Sequence, residues 1–346
     1  MIKFTNSIHN VSIAFMFSKR ILFPFFAVTG GLSVAFVSVY FVFWFSGDKN
    51  PSVDLQTDHF LYRESDIPGI PYELVPNSVG KVIGVDVRIN KLGFRGPDIE
   101  PEKPPGTFRV AVLGDSMVFG RGVDEANTLP QQLSARLKES YPDIAIEVLN
   151  AGFDRFNTVQ EAVLLRHRVL PLNPDLLVLG ITELNDLETT PFKFVSPLPK
   201  KYEESFWRKV PVVGKILAWK VVLEYSRLHE EHVHNLYKED SKTWLDFVAA
   251  LSEIKVLCDE RNIPVSVIIF PWLQDLAMFE AERMRIIDEL KNLDAPFVNP
   301  VSALTGRHWR TLVISNRDHH PNAACHSIFA ELLTKRIKSS DIIFIR

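Results

Sequence analysis

The sequence predicts an α/β fold in which a parallel sheet is covered by helices on both faces. Short apolar runs alternate with helical stretches from Phe108 onward, and several of those runs are apolar throughout rather than at every second residue. Such runs are the pattern of strands buried on both faces. Many also end at a glycine or proline turn signal, which sets strand against helix. With 346 residues and 46% apolar composition, one main domain with additions fits better than two small ones.

In chain order, RVAVLGD (109–115) reads as a strand, TLPQQLSARLKESY (128–141) as a helix and AIEVLNAG (145–152) as a second strand. VQEAVLLRHRVL (159–170) follows as a helix and PDLLVLG (174–180) as a third buried strand. TWLDFVAALSEIKVLCDERN (243–262) is a long helix, IPVSVIIFP (263–271) a fourth strand, AMFEAERMRIIDELKNL (277–293) a helix and PFVNP (296–300) a short fifth strand. The closing helix is PNAACHSIFAELLTKRIKSS (321–340), with Pro321 in its first turn, where a missing N–H costs nothing. Residues 50–105 are rich in Pro and Gly and predict a small β-rich lead-in, KVIGVDVRIN, followed by a linker. Residues 187–240 break the rhythm with aromatic and basic residues. Two readings stand for them: a lid or membrane-surface patch, and a helical excursion with a solvated basic face.

Residues 21–46 carry no charge and exceed the roughly 20 residues that cross a bilayer core. Lys19 and Arg20 precede them, and Asp48, Asp54 and Asp58 follow. This predicts a cytoplasmic segment over 1–20, a transmembrane anchor over 21–46 and everything after it outside the cytoplasm, periplasmic or at the cell surface. A cleaved signal peptide fits less well, because the apolar stretch is too long and no small-x-small site follows. The net charge of −3 and the lack of a basic face argue against a nucleic-acid partner. Cys258 and Cys325 show neither disulfide-framework nor zinc spacing.

Two segments carry chemistry. VAVLGDSMVFGRGV (110–123) ends a strand at Gly114-Asp115-Ser116 and enters a helix, which puts the Ser116 hydroxyl at the carboxyl edge of the sheet near helix-start N–H groups. The bland alternative is a serine that only caps a helix. RDHHPNAACH (317–326) places Asp318 and His320 on a loop before the last helix. A serine hydroxyl needs a base, and the base needs an acceptor on its other ring nitrogen, so His320 and Asp318 fit those two roles. His326 reads as structural, and a metal site of Asp318, His319 and His320 is the competing pattern. NAGFDRFNT (150–158) and GITELNDL (180–187) end the second and third strands at the same edge, where Asn185 can offer its side-chain amide to an oxyanion. Asp186 reads as structural and Glu183 as solvated.

Taken together, LGDS with Ser116, NAGFDRFNT, GITELND with Asn185 and DHHPN with Asp318 and His320 resemble, in order, the four blocks of the SGNH (GDSL-type) hydrolases. The lead-in VRINKLGFRGPD is similar to that of bacterial, often membrane-tethered members. The resemblance covers about residues 80–335. It implies a flavodoxin-like three-layer α/β/α sandwich over 106–340, ester hydrolysis or acyl transfer through Ser116, no cofactor and no metal. It also implies an oxyanion hole drawn from Ser116, Gly152, Arg155 and Asn185. An O-acylated glycan or lipid is the substrate class expected of an extracytoplasmic member. Two departures stand out: Arg155 lies where the family usually carries glycine, and the last block is Asp-x-His rather than Asp-x-x-His. The shorter spacing also resembles that of polysaccharide O-acetyltransferases of the alginate-modifying kind. Arg155 motivates the rival reading of a catalytically inactive glycan-binding scaffold, and a phospholipase working at the bilayer is a third. Oligomeric state is not legible in the sequence.

Overall fold

A computed structural model of the chain describes residues 57–183, 186–187, 230–316, 318–340 and 342–344. The anchor expected over 21–46, Asn185 and most of the 187–240 segment lie outside the described residues. Among the described residues no helix is long and apolar enough to cross a membrane.

Five parallel strands form the central sheet: β5 (Thr107–Gly114), β6 (Ala145–Gly152), β7 (Leu176–Thr182), β8 (Val265–Phe270) and β9 (Phe297–Val298), in the order β6-β5-β7-β8-β9. Counted from the first sheet strand this is 2-1-3-4-5, the flavodoxin-type order, whose switch point falls between β5 and β7. Side chains along each strand alternate between two cores. Val110 and Val112 of β5, Leu176 and Val178 of β7, and Ile268 and Phe270 of β8 face one core. Ala111 and Leu113, Leu177 and Leu179, and Val267 and Ile269 face the other. Both sides of β5, β7 and β8 are dry, which is why the sequence shows apolar runs rather than alternation there.

Helices α2 (Leu129–Ser140) and α7 (Ala323–Ser339) cover the first face through Leu133, Leu137, Phe329 and Leu333. Helices α3 (Thr158–Leu164), α4 (Lys242–Asp259) and α5 (Glu280–Asn292) cover the second through Ala162, Phe247, Ile254 and Ile286. The result is a three-layer α/β/α sandwich. The short helices α1 (Ser116–Phe119) and α6 (Val301–Leu304) follow β5 and β9. The helix expected over 159–170 differs in its second half. It widens into a π turn at Leu165–Val169 and ends in a 3-10 turn at Leu170–Leu172, where Pro171 has no N–H to continue an α ladder. Pro321 also lies one residue outside the closing helix, because Asn322 is its cap, accepting from the Cys325 N–H at 3.1 Å.

The lead-in forms two antiparallel pairs, β1 (Tyr62–Glu64) with β2 (Tyr72–Leu74) and β3 (Val79–Val82) with β4 (Val85–Arg88). Leu61, Leu74, Val87 and Phe94 are buried in the second core, so the lead-in shares that core with the sandwich. The stretch after it, expected as a linker, is packed: Phe94 and Arg95 are buried, and Arg95 bridges Asn150 on the edge strand β6. Covering that edge removes an unpaired strand border.

Candidate active site

Three loops meet at the carboxyl edge of the sheet beside the switch point. β5 stops at Gly114, and Asp115, not Ser116, caps α1 by accepting the Met117 N–H at 2.8 Å. The plain-cap reading of Ser116 is therefore set aside, since Ser116 opens the helix and its hydroxyl is left for another partner. α1 ends at Gly120, whose φ of 81° is the left-handed conformation glycine adopts without strain.

The partner is His320. Its Nε2 lies 2.9 Å from Ser116 Oγ, and its Nδ1 lies 2.5 Å from Asp318 Oδ1. The loop that carries both is tied internally. Asp318 Oδ1 also accepts the His320 backbone N–H at 3.0 Å, and the Asp318 N–H donates to Ser315 Oγ at 3.0 Å. Asn322 anchors the far end by donating to the Thr311 and Val313 carbonyls at 3.0 and 3.1 Å. Burial pushes the Asp318 carboxyl up, but the hydrogen bonds and charge of His320, with the nearby Arg121 guanidinium, hold it below the usual carboxylate range. An ionised Asp318 fixes the tautomer that leaves Nε2 free to accept the Ser116 proton.

His319 turns away. Its ring meets Trp272 and Trp309 edge-on at 5.5 and 5.8 Å, and its Nε2 lies 2.9 Å from Gln274 Nε2. The two neighbouring imidazoles thus serve different surroundings, and the Asp318-His319-His320 metal pattern does not assemble. His326 is fully buried against Phe329, and neither ring nitrogen has a hydrogen-bond partner. Burial drives its pKa down to about 3, so it stays neutral.

The oxyanion candidates separate. Ser116 stands at the first position of α1, where a backbone N–H has no intrahelical acceptor. Gly152 is not a donor to the site, a correction with a clear cause: its N–H is engaged by Asn150 Oδ1 at 3.0 Å. What Gly152 supplies is close approach, because a Cβ there would lie 2.1 Å from the Phe119 nitrogen. Arg155 has an exposed side chain and a φ of 64°, so the turn keeps the left-handed backbone that a glycine would take freely. Asn185 lies outside the described residues, and the residue after it, Asp186, is held in place. Asp186 accepts the Thr182 N–H and is reached by Thr158 Oγ1 at 3.3 Å.

Glu183 is buried rather than solvated, which corrects the expectation. It pairs with Arg283 at 2.5 Å and accepts the Trp272 N–H at 3.1 Å, and these contacts draw the third-strand loop onto α5 and the fourth-strand loop.

Two contributors were missed in the sequence. Arg95 is buried and donates to the carbonyls of Phe119, Gly120 and Val123 at 3.0, 2.6 and 2.6 Å, a cation placed on the C-terminal end of α1. Arg121 pairs with Asp154 and returns its backbone N–H to the Ser116 carbonyl at 3.2 Å, joining the first two loops. The lone signals were an arginine in GFRGPD and another in FGRGV, and neither reveals its distant partner.

No protein-family model matches the sequence, and no curated protein does. Solved structures similar to this chain include a two-domain esterase active on acetylated mannans. It shares 15% identity and a TM-score of 0.43 over 69% of this chain and 50% of that one, so the match spans about half of that enzyme. A lipase/acylhydrolase from Enterococcus faecalis matches with 14% identity and a TM-score of 0.41, over 67% and 96% of the two chains. An acetylxylan esterase from Geobacillus stearothermophilus matches with 14% identity and a TM-score of 0.43, over 66% and 94%. At these identities and scores the functional reading rests on the geometry of the site.

Proposed function

We propose that the chain is a serine esterase of the SGNH type, acting on an O-acylated glycan or lipid through an acyl-enzyme on Ser116. The hydrogen-bonded chain Asp318–His320–Ser116, at 2.5 and 2.9 Å, carries this reading. In it, Ser116 Oγ attacks the ester carbonyl while His320 Nε2 takes the hydroxyl proton. The tetrahedral oxyanion is met by the Ser116 N–H, with the Arg155 N–H and the Asn185 side-chain amide as further proposed donors, each such donor being worth about 3–4 kcal/mol. Collapse breaks the C–O bond, and His320 returns the proton to the departing alcohol. Water then attacks the acyl group as His320 takes its proton, and the acid leaves as His320 returns that proton to Ser116 Oγ. The intact three-residue geometry of Asp318, His320 and Ser116 favours an enzyme over an inactive scaffold.

One observation favours a second reading within the same chemistry. The Asp-x-His spacing of Asp318 and His320 is the one expected of polysaccharide O-acetyltransferases, in which a sugar hydroxyl replaces water in the last step. The charge-free 21–46 segment, with Lys19 and Arg20 before it, supports an anchored enzyme working outside the cytoplasm.

The test is turnover of p-nitrophenyl acetate by the full chain in detergent, with Ser116→Ala, His320→Ala and Asp318→Asn beside wild type. Loss of kcat by at least about 10³-fold in the first two is expected. Wild-type protein that is folded yet inactive on every acetate ester would overturn the proposal. Release of p-nitrophenol only when a sugar acceptor is added, with the acetyl group recovered on the sugar, would select the transferase.

A further inference from the structure

One buried acid has no part in the proton relay. Glu161, in the first turn of α3, is fully buried, and among the described residues neither of its carboxyl oxygens has a hydrogen-bond partner. The charges that act on it are Asp186, then Asp115, both buried and both of its own sign. Each of these aspartates ties down a turn at the catalytic edge. Asp115 precedes Ser116 and accepts the Met117 N–H at 2.8 Å, which starts α1. Asp186 joins two loops: its carboxylate accepts the Thr182 N–H at the end of β7 and is reached by Thr158 Oγ1 at 3.3 Å, and its carbonyl accepts the Thr158 N–H at 3.2 Å. Thr158 opens the helix that carries Glu161, so the three acids meet where the nucleophile turn, α3 and the third-strand loop converge.

Three buried carboxyls that act on one another cannot all be ionised. Hydrogen bonds decide which of them keeps a proton. Asp115 and Asp186 accept N–H and O–H donors, which favour the anion, whereas Glu161 accepts none, so the proton belongs on Glu161. A protonated carboxyl becomes a donor, and a buried O–H calls for an acceptor. Asp186 is the acceptor with the stronger charge at Glu161. We propose that Glu161 is a positioning residue: as a neutral acid it donates to Asp186, lets Asp186 and Asp115 sit side by side, and so fixes the turn that carries Ser116 relative to the third-strand loop.

That Ser116 is the nucleophile belongs to the esterase reading, on which this inference rests, and two of the three measurements do not need turnover. They compare the full chain with Glu161→Gln, which keeps a neutral donor of the same shape, and Glu161→Leu, which removes the donor. The infrared difference between wild type and Glu161→Gln at pH 8 is expected to contain the carbonyl band of a protonated carboxyl. A difference containing only ionised carboxylate would overturn the proposal, whatever the leucine variant does. Hydrogen exchange at pH 7 follows peptides that contain the Met117 and Thr182 amides, the two held by the aspartates. Rates are expected to stay within about twofold of wild type in Glu161→Gln and to rise at least about tenfold in Glu161→Leu. The kcat for p-nitrophenyl acetate is expected to stay within about twofold of wild type in Glu161→Gln and to fall at least about tenfold in Glu161→Leu, with KM within about twofold in both. A leucine variant that matches wild type, or a glutamine variant as impaired as the leucine one, would overturn it. If wild type cleaves no ester, the esterase reading fails, and the infrared band and the exchange rates decide the role of Glu161 by themselves.

Discussion

Replacing Arg95 with lysine probes how the lead-in supports the nucleophile. Arg95 is 1% exposed and donates to three carbonyls. Two of them have other donors: Phe119 O also accepts Asn150 Nδ2 at 3.2 Å, and Gly120 O accepts the Val123 N–H at 3.2 Å. Val123 O depends on the second arm of the guanidinium, at 2.6 Å. A lysine brings a point charge in place of a fork and reaches one arm's partners, not both. The loss is one charge-assisted hydrogen bond, about 1.5–3 kcal/mol. For a domain of this size that lowers Tm by about 3–12 °C. Gly120 N–H donates to the Ser116 carbonyl at 3.0 Å, so loosening this turn moves the nucleophile itself. Small misplacements of reacting groups cost up to about 100-fold, so kcat for p-nitrophenyl acetate is expected to fall at least about tenfold, with KM within about twofold. Differential scanning calorimetry and steady-state kinetics on the lysine variant check both numbers. Wild-type Tm and kcat in that variant would refute the claim that Arg95 positions α1.

Gly152→Ala sets a Cβ 2.1 Å from the Phe119 nitrogen and 2.6 Å from its Cα. A backbone-on-backbone clash is expected to cost at least the about 1–3 kcal/mol of ordinary overpacking, against about 1 kcal/mol for Gly106→Ala, where a Cβ meets nothing and only a φ of 77° is strained; urea melts of the two variants compare them. His326, held near pKa 3 when folded, binds a proton only after unfolding as pH falls below its ordinary value, so stability is lost on acidification. Between pH 7 and pH 5 that loss is about 2 kcal/mol, and His326→Leu is expected to remove it in chemical denaturation at the two pH values. Glu161 has the opposite sign. Burial, then the neighbouring Asp186 and Asp115, raises its carboxyl well above the ordinary value, and neither oxygen has a hydrogen-bond partner. The folded protein keeps a proton that the unfolded chain releases, so stability is lost as pH rises from the ordinary glutamate value. Glu161→Gln is expected to gain on wild type between pH 5 and pH 8, by at most about 1.4 kcal/mol per pH unit, and a gap that does not change with pH would contradict this.

The elements legible in the sequence are those whose neighbours impose a period. PDLLVLG and IPVSVIIFP read as buried strands because both faces of the sheet are dry, and Ser116, Asp318 and His320 read as a set because nucleophilic chemistry demands those three types together. What stayed hidden depends on partners far along the chain. Glu183 looked like a solvated loop carboxylate because its partner Arg283 is 100 residues away. Arg95 looked like part of a linker because its acceptors are backbone carbonyls, which leave no mark in a sequence. Gly152 was legible as a special glycine but not for its reason, since a glycine that offers an N–H and one that lets two backbones meet are spelled alike.

The central claim is that Ser116 is a hydroxyl activated by His320. The direct measurement is peptide mass spectrometry of the folded full chain after exposure to a fluorophosphonate. A single phosphonylated residue, Ser116, is expected in wild type, with labelling abolished by Ser116→Ala and slowed at least about 10³-fold by His320→Ala. Labelling that falls on another residue, or that proceeds at the wild-type rate without His320, would contradict the account.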